Sequence, residues 1–133
     1  MNAINFLIEP IGFVRSALDS LAAAPRQGEE GAPEAWLEIH AALAQGLVGI
    51  TAGQKMIVLT WLHLAQRDIL QVHPRGDSAR PLAGVFATRS PHRPNPIGLH
   101  QVTVLEVLGR RLRVSPLEAV DGTPIVDIKP VLK

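Results

Sequence analysis

Apolar and polar positions alternate with period two along much of this chain, and that alternation predicts strands. Ile11-Gly12-Phe13-Val14-Arg15-Ser16 is strand-like. Trp36-Leu37-Glu38-Ile39-His40 alternates as a half-buried strand does, and Ala41 to Gln45 reads as a short helical turn ended by Gly46. Lys55 to Leu64 is nearly continuous apolar sequence. Its β-branched and aromatic content predicts a strand buried on both faces, although period alone leaves a helix open. Further strands are expected at about Leu82–Thr88, Leu99–Leu108, Arg111–Leu117 and Ile125–Ile128. Gly109-Arg110 is short enough to be a hairpin turn. Ala24 to Pro33 is a polar loop punctuated by Gly and Pro. Short strands at close spacing, with no helices between the later ones, predict a mainly β fold. The expectation is a small antiparallel barrel with short helical segments, forming one domain over residues 1–133.

Composition narrows the function classes. A chain of 133 residues can bury a real core. The absence of cysteine excludes disulfides, cysteine-ligated metals and cysteine nucleophiles, and it leans toward the cytoplasm. Met1 to Arg15 has no basic start, and Glu9 and Pro10 interrupt its apolar stretch. It therefore reads as neither a signal peptide nor a membrane span, and no membrane partner is expected. The five histidines show no metal-ligand spacing, so no metal is expected. His40, His92 and His100 read as solvated or locally bonded, and Trp36 and Trp61 as core or interface residues.

With 13 basic and 12 acidic side chains, bulk charge does not advertise nucleic-acid binding. Local charge differs. Arg67, Arg75, Arg80, Arg89 and Arg93 face only Asp68 and Asp77 in their stretch, and Arg110, Arg111 and Arg113 form a second cluster. Either is a phosphate-binding face or an ordinary solvated surface.

Residues 84 to 99 are the most informative stretch: Gly-Val-Phe-Ala-Thr-Arg-Ser-Pro-His-Arg-Pro-Asn-Pro-Ile-Gly-Leu. Each proline fixes φ, removes a donor and biases the residue before it toward extended backbone. Such a loop has lost much of its freedom in advance, so Arg89 and Arg93 are presented rather than left to wander. The alternative is a proline-rich connector with solvated arginines.

Four pieces in order resemble the TrmO (TsaA-like) family, which methylates transfer RNA. They are Ile11 to Ser16 with Pro25-Arg26-Gln27, the apolar strand into Trp61-Leu62-His63, the Gly84–Leu99 loop, and Asp121-Gly122-Thr123-Pro124 to Asp127-Ile128-Lys129-Pro130. The resemblance covers essentially the whole chain. It implies a small β-barrel methyltransferase, usually a homodimer, with S-adenosylmethionine as methyl donor. The implied acceptor is the N6 nitrogen of threonylcarbamoyl-adenosine beside the anticodon of a tRNA. No Gly-x-Gly-x-x-Gly fingerprint opens a helix here, so a Rossmann reading has nothing to rest on. The chain departs from the family pattern at Gly53-Gln54-Lys55, where a serine-histidine is common, and after Lys129-Pro130, where full-length members carry a further domain.

The resemblance also assigns residues. Pro25, Arg26, Gln27 and His63 would line the cofactor site, Arg89 would meet the cofactor's carboxylate, and Leu99 its adenine. Leu117, Glu118, Ala119 and Val120 would close the pocket. Arg93 and Asn95, from the same loop, are expected phosphate or base contacts for an extruded nucleotide. Asp127 and Lys129 alternate with Val126 and Ile128, so both can point to one face. Asp127 is the candidate general base and Lys129 a substrate contact, the alternative being an ion pair internal to the barrel. Three other readings stay open: a methyltransferase with a different acceptor, a non-catalytic dimeric S-adenosylmethionine-binding module, and a polyproline-type ligand for a partner protein.

Overall fold

The computed structural model describes residues 4–17 and 33–132. Six antiparallel strands close into a ring: β1 (Gly12–Arg15), β2 (Ala35–Ile39), β7 (Arg111–Ser115), β6 (Ile97–Leu108), β3 (Lys55–Trp61) and β8 (Pro124–Pro130), which returns to β1. Between β3 and β6, β4 (Gln71–Val72) and β5 (Ala83–Gly84) form a separate two-stranded ribbon. The expected barrel is observed.

Alternation supplies the core. Val14, Leu37, Met56, Val58, Val102, Val104, Leu112, Val114 and Ile125 point inward and are buried, joined by Leu117 and Ala119 beyond β7. Burial of each such side chain contributes about 1.5–3 kcal/mol. At Gly12 the backbones of β1 and β2 approach so closely that a Cβ would strike the Glu38 carbonyl, which explains the glycine.

Several boundaries differ from the sequence expectations. β3 ends at Trp61 because the Leu62 amide reaches the facing Pro96 carbonyl (2.8 Å) but Pro96 has no amide to continue the ladder, and only one face of the strand is buried. Leu82–Thr88 is not a full strand. After Ala83–Gly84 the chain coils into a single 3-10 turn, Val85–Ala87, closed by both the amide and the hydroxyl of Thr88 on the Val85 carbonyl. β7 stops at Ser115 since Pro116 has no amide to continue the ladder. The turn expected at Ala41–Gln45 is a 3-10 helix running through Gly46 to Leu47, and the left-handed residue that follows it is Gly49.

The ring's seams are unequal. β3 and β6 share seven residue pairs, whereas β1 and β8 share two, Gly12 with Ile125 and Phe13 with Pro124. Where β8 outruns β1, a cleft of about 370 Å³ opens, lined by Ile11, Leu43, Leu47, Ile50, Asp127 and Ile128 among others. A bulge in β8 between Ile125 and Asp127 resets the alternation there.

Candidate functional site at one rim of the barrel

Strand direction decides which residues meet. β1, β3 and β7 end, and β2, β6 and β8 begin, at the same rim. That rim gathers His63 just beyond β3, the proline loop leading into β6, Leu99 near the start of β6, and Leu117–Val120 beyond β7. Pro25, Arg26 and Gln27 lie outside the described residues.

The proline loop is clamped by the turn that follows β3. Arg67 donates from Nε to the Pro94 carbonyl (2.6 Å) and from Nη2 to Asn95 Oδ1 (3.0 Å), with its guanidinium 5.1 Å from the centre of the Trp61 ring. The Gln66 amide donates to His92 Nδ1 (2.9 Å), and the Arg93 amide to the Gln66 carbonyl (3.1 Å).

The two arginines of the loop have different duties. Arg93 donates from Nη1 to the carbonyls of Thr88 (3.1 Å) and Ser90 (3.0 Å), so it staples the loop. Arg89 is exposed, and no described residue bonds its guanidinium. Asn95 is exposed, its Oδ1 already taken by Arg67. Sequence reasoning did not single out Arg67, the residue that holds the loop's shape.

The segment after β7 presents one side chain. Leu117, Ala119 and Val120 are buried, and the carbonyls of Ala119 and Val120 accept from the hydroxyls of Ser16 (2.9 Å) and Thr123 (2.7 Å). Glu118 is left facing the rim, and its Oε1 accepts from His100 Nδ1 at 2.9 Å. His100 is not solvated: it is 5 % exposed, and its Nε2 lies 2.7 Å from Thr60 Oγ1. The inward parity of Val102 and Val104 was the signal that places it inside.

Leu99 points outward and is 47 % exposed, opposite Leu59. Asp127 lies on the other side of Leu59, so Leu99 and Asp127 share the outer face with one residue between them. Asp127 is ion-paired with Lys129 (3.1 Å) on that half-exposed exterior, not inside the barrel. His63 is exposed in the turn after β3. Trp36 and Trp61 are half-buried on the exterior, each faced by a guanidinium, rather than in the core. No cluster of three metal-ligating side chains occurs among the described residues.

Comparison with known proteins gives this geometry its relatives. A "Probable S-adenosyl-L-methionine-binding protein" of Methanothermobacter thermautotrophicus is 43 % identical over 98 % of this chain and 93 % of its own length. An "S-adenosyl-L-methionine-binding protein" of Archaeoglobus fulgidus is 45 % identical over 92 % of this chain and 87 % of its own. The crystal structure of TrmO from Pseudomonas aeruginosa superposes with a TM-score of 0.76 at 31 % identity, over 97 % of this chain. The chain spans 57 % of that TrmO chain. Residues 13–133 match the family described as the tRNA-methyltransferase O N-terminal domain, and the chain belongs to that family.

Proposed function

We propose that this chain is an S-adenosylmethionine-dependent methyltransferase acting on tRNA, at the N6 nitrogen of threonylcarbamoyl-adenosine beside the anticodon. Membership of the TrmO family and the S-adenosylmethionine-binding relatives support the donor and the class of acceptor. The observation that carries the reading is the uncommitted Arg89 guanidinium, held on a clamped loop at the rim that also carries Glu118 and Leu99.

These residues fit the donor. Arg89 offers a planar fork to its carboxylate, which makes a bidentate, charge-assisted pair. Leu99 offers exposed apolar surface to its adenine. The Glu118 oxygen not bonded to His100 has no partner among the described residues and can accept from a donor group of the ligand. His63, Pro25, Arg26 and Gln27 complete the cofactor-lining set, with Leu117, Ala119 and Val120 contributing backbone.

The bound donor supplies an activated methyl group on a sulfonium. The protein's work is alignment, and good orientation is worth roughly 7–11 kcal/mol in such reactions. A loop fixed by three prolines and Arg67 supplies it. Methylation of N6 would release one proton, and Asp127 is the group that would receive it. Lys129 and the side-chain NH2 of Asn95 contact the RNA, and Arg93, whose Nη1 staples the loop, offers it the rest of its guanidinium. Asp127→Asn is expected to lower turnover while leaving donor affinity intact.

The proposal includes a homodimer and a cytoplasmic location, where tRNA is modified. The outer face of β3 and β6 carries Ile57, Leu59, Trp61, Ile97 and Leu99, and the last two are 42 % and 47 % exposed. A second copy covering this strip would shelter Leu99 and close the site, and light scattering reads the stoichiometry directly.

Calorimetry with S-adenosylmethionine and S-adenosylhomocysteine, on wild type and Arg89→Ala, tests the donor site. Transfer of labelled methyl to threonylcarbamoylated tRNA, against unmodified tRNA, tests the acceptor. Donor binding without methyl transfer to either RNA would overturn the assigned acceptor, and no binding by the folded protein would overturn the methyltransferase reading.

A further inference from the structure

Behind Glu118, inside the rim, stand two polar residues that the methyl-transfer reading leaves unused. Thr60, on β3, is fully buried, and His100, on β6, is 5 % exposed. Thr60 Oγ1 lies 2.7 Å from His100 Nε2, and His100 Nδ1 lies 2.9 Å from Glu118 Oε1. An imidazole in a mainly aliphatic core is costly unless both nitrogens are bonded, and both are. The order of donors follows from chemistry. An ionised carboxylate only accepts, so Nδ1 carries the hydrogen; in the neutral ring Nε2 then accepts, and the threonine hydroxyl donates to it.

Gly98 makes room for this arrangement. It pairs with Thr60 across the ladder, and a Cβ there would collide with Thr60 Oγ1 and come within 2.7 Å of His100 Nε2. The glycine is thus required by the side chains it faces rather than by its own backbone. Three inward positions, Thr60, Gly98 and His100, cooperate to aim one ring nitrogen at one carboxylate oxygen.

The destination of these hydrogen bonds matters. Glu118 sits between buried Leu117 and Ala119, and its side chain is 18 % exposed. Oε1 is fixed by His100, whereas Oε2 has no bond to any described residue and is not among the buried unpartnered atoms. One oxygen is held from within and the other is turned to the rim.

We infer that His100 is a positioning residue, backed by Thr60 and Gly98, that locks the Glu118 carboxylate so that Oε2 accepts a hydrogen bond from the bound nucleoside ligand. This rests on the proposed donor site. The ligand group it meets is a hydrogen-bond donor, either a ribose hydroxyl or the ammonium of the amino-acid moiety. A carboxylate pre-oriented in this way binds without first losing side-chain freedom, which is the advantage of a supported site.

The test separates the two ring nitrogens. In His100→Asn the side-chain amide reproduces the Nδ1 position and keeps a donor for Glu118; in His100→Gln it reproduces Nε2 and leaves Glu118 unsupported. Calorimetric affinity for S-adenosylhomocysteine should fall about tenfold in His100→Gln, the usual effect of a lost hydrogen bond to a charged group. His100→Asn should recover most of that loss, although both variants melt at similar temperatures. Glu118→Gln should fall by a similar factor, and the double variant His100→Gln/Glu118→Gln should be no weaker than Glu118→Gln alone, because the two act as one unit. Thr60→Ser should behave as wild type and Thr60→Val should weaken binding.

Methylthioadenosine, which keeps the ribose but lacks the amino acid, distinguishes the two sources. Equal losses for both ligands assign Oε2 to the ribose, and a loss confined to S-adenosylhomocysteine assigns it to the ammonium. A His100→Gln protein that melts lower yet binds as tightly as wild type would reduce these hydrogen bonds to a structural role and overturn the inference. So would additive losses in the double variant. A folded wild type that binds neither ligand would overturn the donor-site reading as well, so the two failures are distinguishable.

Discussion

The two arginine-rich regions of this chain are alike in sequence and unlike in structure. In the cluster at the β6–β7 hairpin each guanidinium is set against the protein, although the buried Nε of Arg111 has no hydrogen-bond partner among the described residues. Arg110 donates to the Ile39 carbonyl (2.7 Å), Arg111 lies 4.4 Å from the centre of the Trp36 ring, and Arg113 bridges Glu106 (3.1 Å) and Glu34 (2.8 Å). Its hydrogen bond to Glu106 raises the Arg113 pKa above its ordinary value, against the opposing effect of desolvation and with a smaller contribution from Glu34. In the stretch leading to β6, Arg67 and Arg93 build the loop and Arg89 is held out uncommitted. Charge density alone does not mark a ligand site. A guanidinium with no protein partner, on a loop that other guanidiniums have made rigid, does.

The sharpest break of that contrast is Arg89→Ala. S-adenosylhomocysteine affinity should drop on the order of a hundredfold, as expected for a lost bidentate pair, with the melting temperature unchanged. Next in size is Arg67→Ala, which leaves the ligand's partner in place but frees the loop. About a tenfold loss of affinity is expected, accompanied by faster amide exchange at Arg93. Arg110→Ala should do the reverse of Arg89→Ala, costing about 1 kcal/mol in denaturant unfolding with no change in affinity. The smallest effect is that of Arg111→Lys, roughly 0.5–1 kcal/mol from the lost stack over Trp36, again without change in binding. Equal effects of Arg89→Ala and Arg110→Ala on affinity would erase the distinction between the clusters.

Much of the fold is legible in the sequence because a barrel's parity is written residue by residue. β2, β3, β6 and β7 all emerge near their expected places. The exceptions have local causes that alternation does not encode. Thr88 closes a turn where Leu82–Thr88 reads as a strand. The bulge before Asp127 lets Ile125 and Ile128 both contact the core although they are three residues apart. The site was legible to a lesser degree. Arg89 could be singled out from its prolines, but Arg67 owes its role to a fold that brings residue 67 beside residue 94, which no local pattern announces. The parity of β6 places His100 inside, whereas a histidine isolated from any ligand spacing reads as solvated or locally bonded. Asp127 and Lys129 do share a face as expected, and they pair on the outside of the wall.

The two-pair seam between β1 and β8 gives the barrel a preferred place to come apart. Opening a ladder costs in proportion to the bonds and apolar contacts that break, and local openings follow the cheapest boundary. Thermal fluctuations should therefore unroll the ring at β1–β8 into a curved strip still joined through β3 and β6, long before those seven pairs separate. The proline loop enters β6 on the tightly laced side, whereas the Glu118 segment is tied to the end of β1, where the Ser16 hydroxyl donates to the Ala119 carbonyl (2.9 Å) and the Gly122 amide to the Val14 carbonyl (2.8 Å). Breathing of the wall therefore leaves the clamped proline loop in place and loosens the hold on the Glu118 segment, so the two halves of the site differ in stiffness.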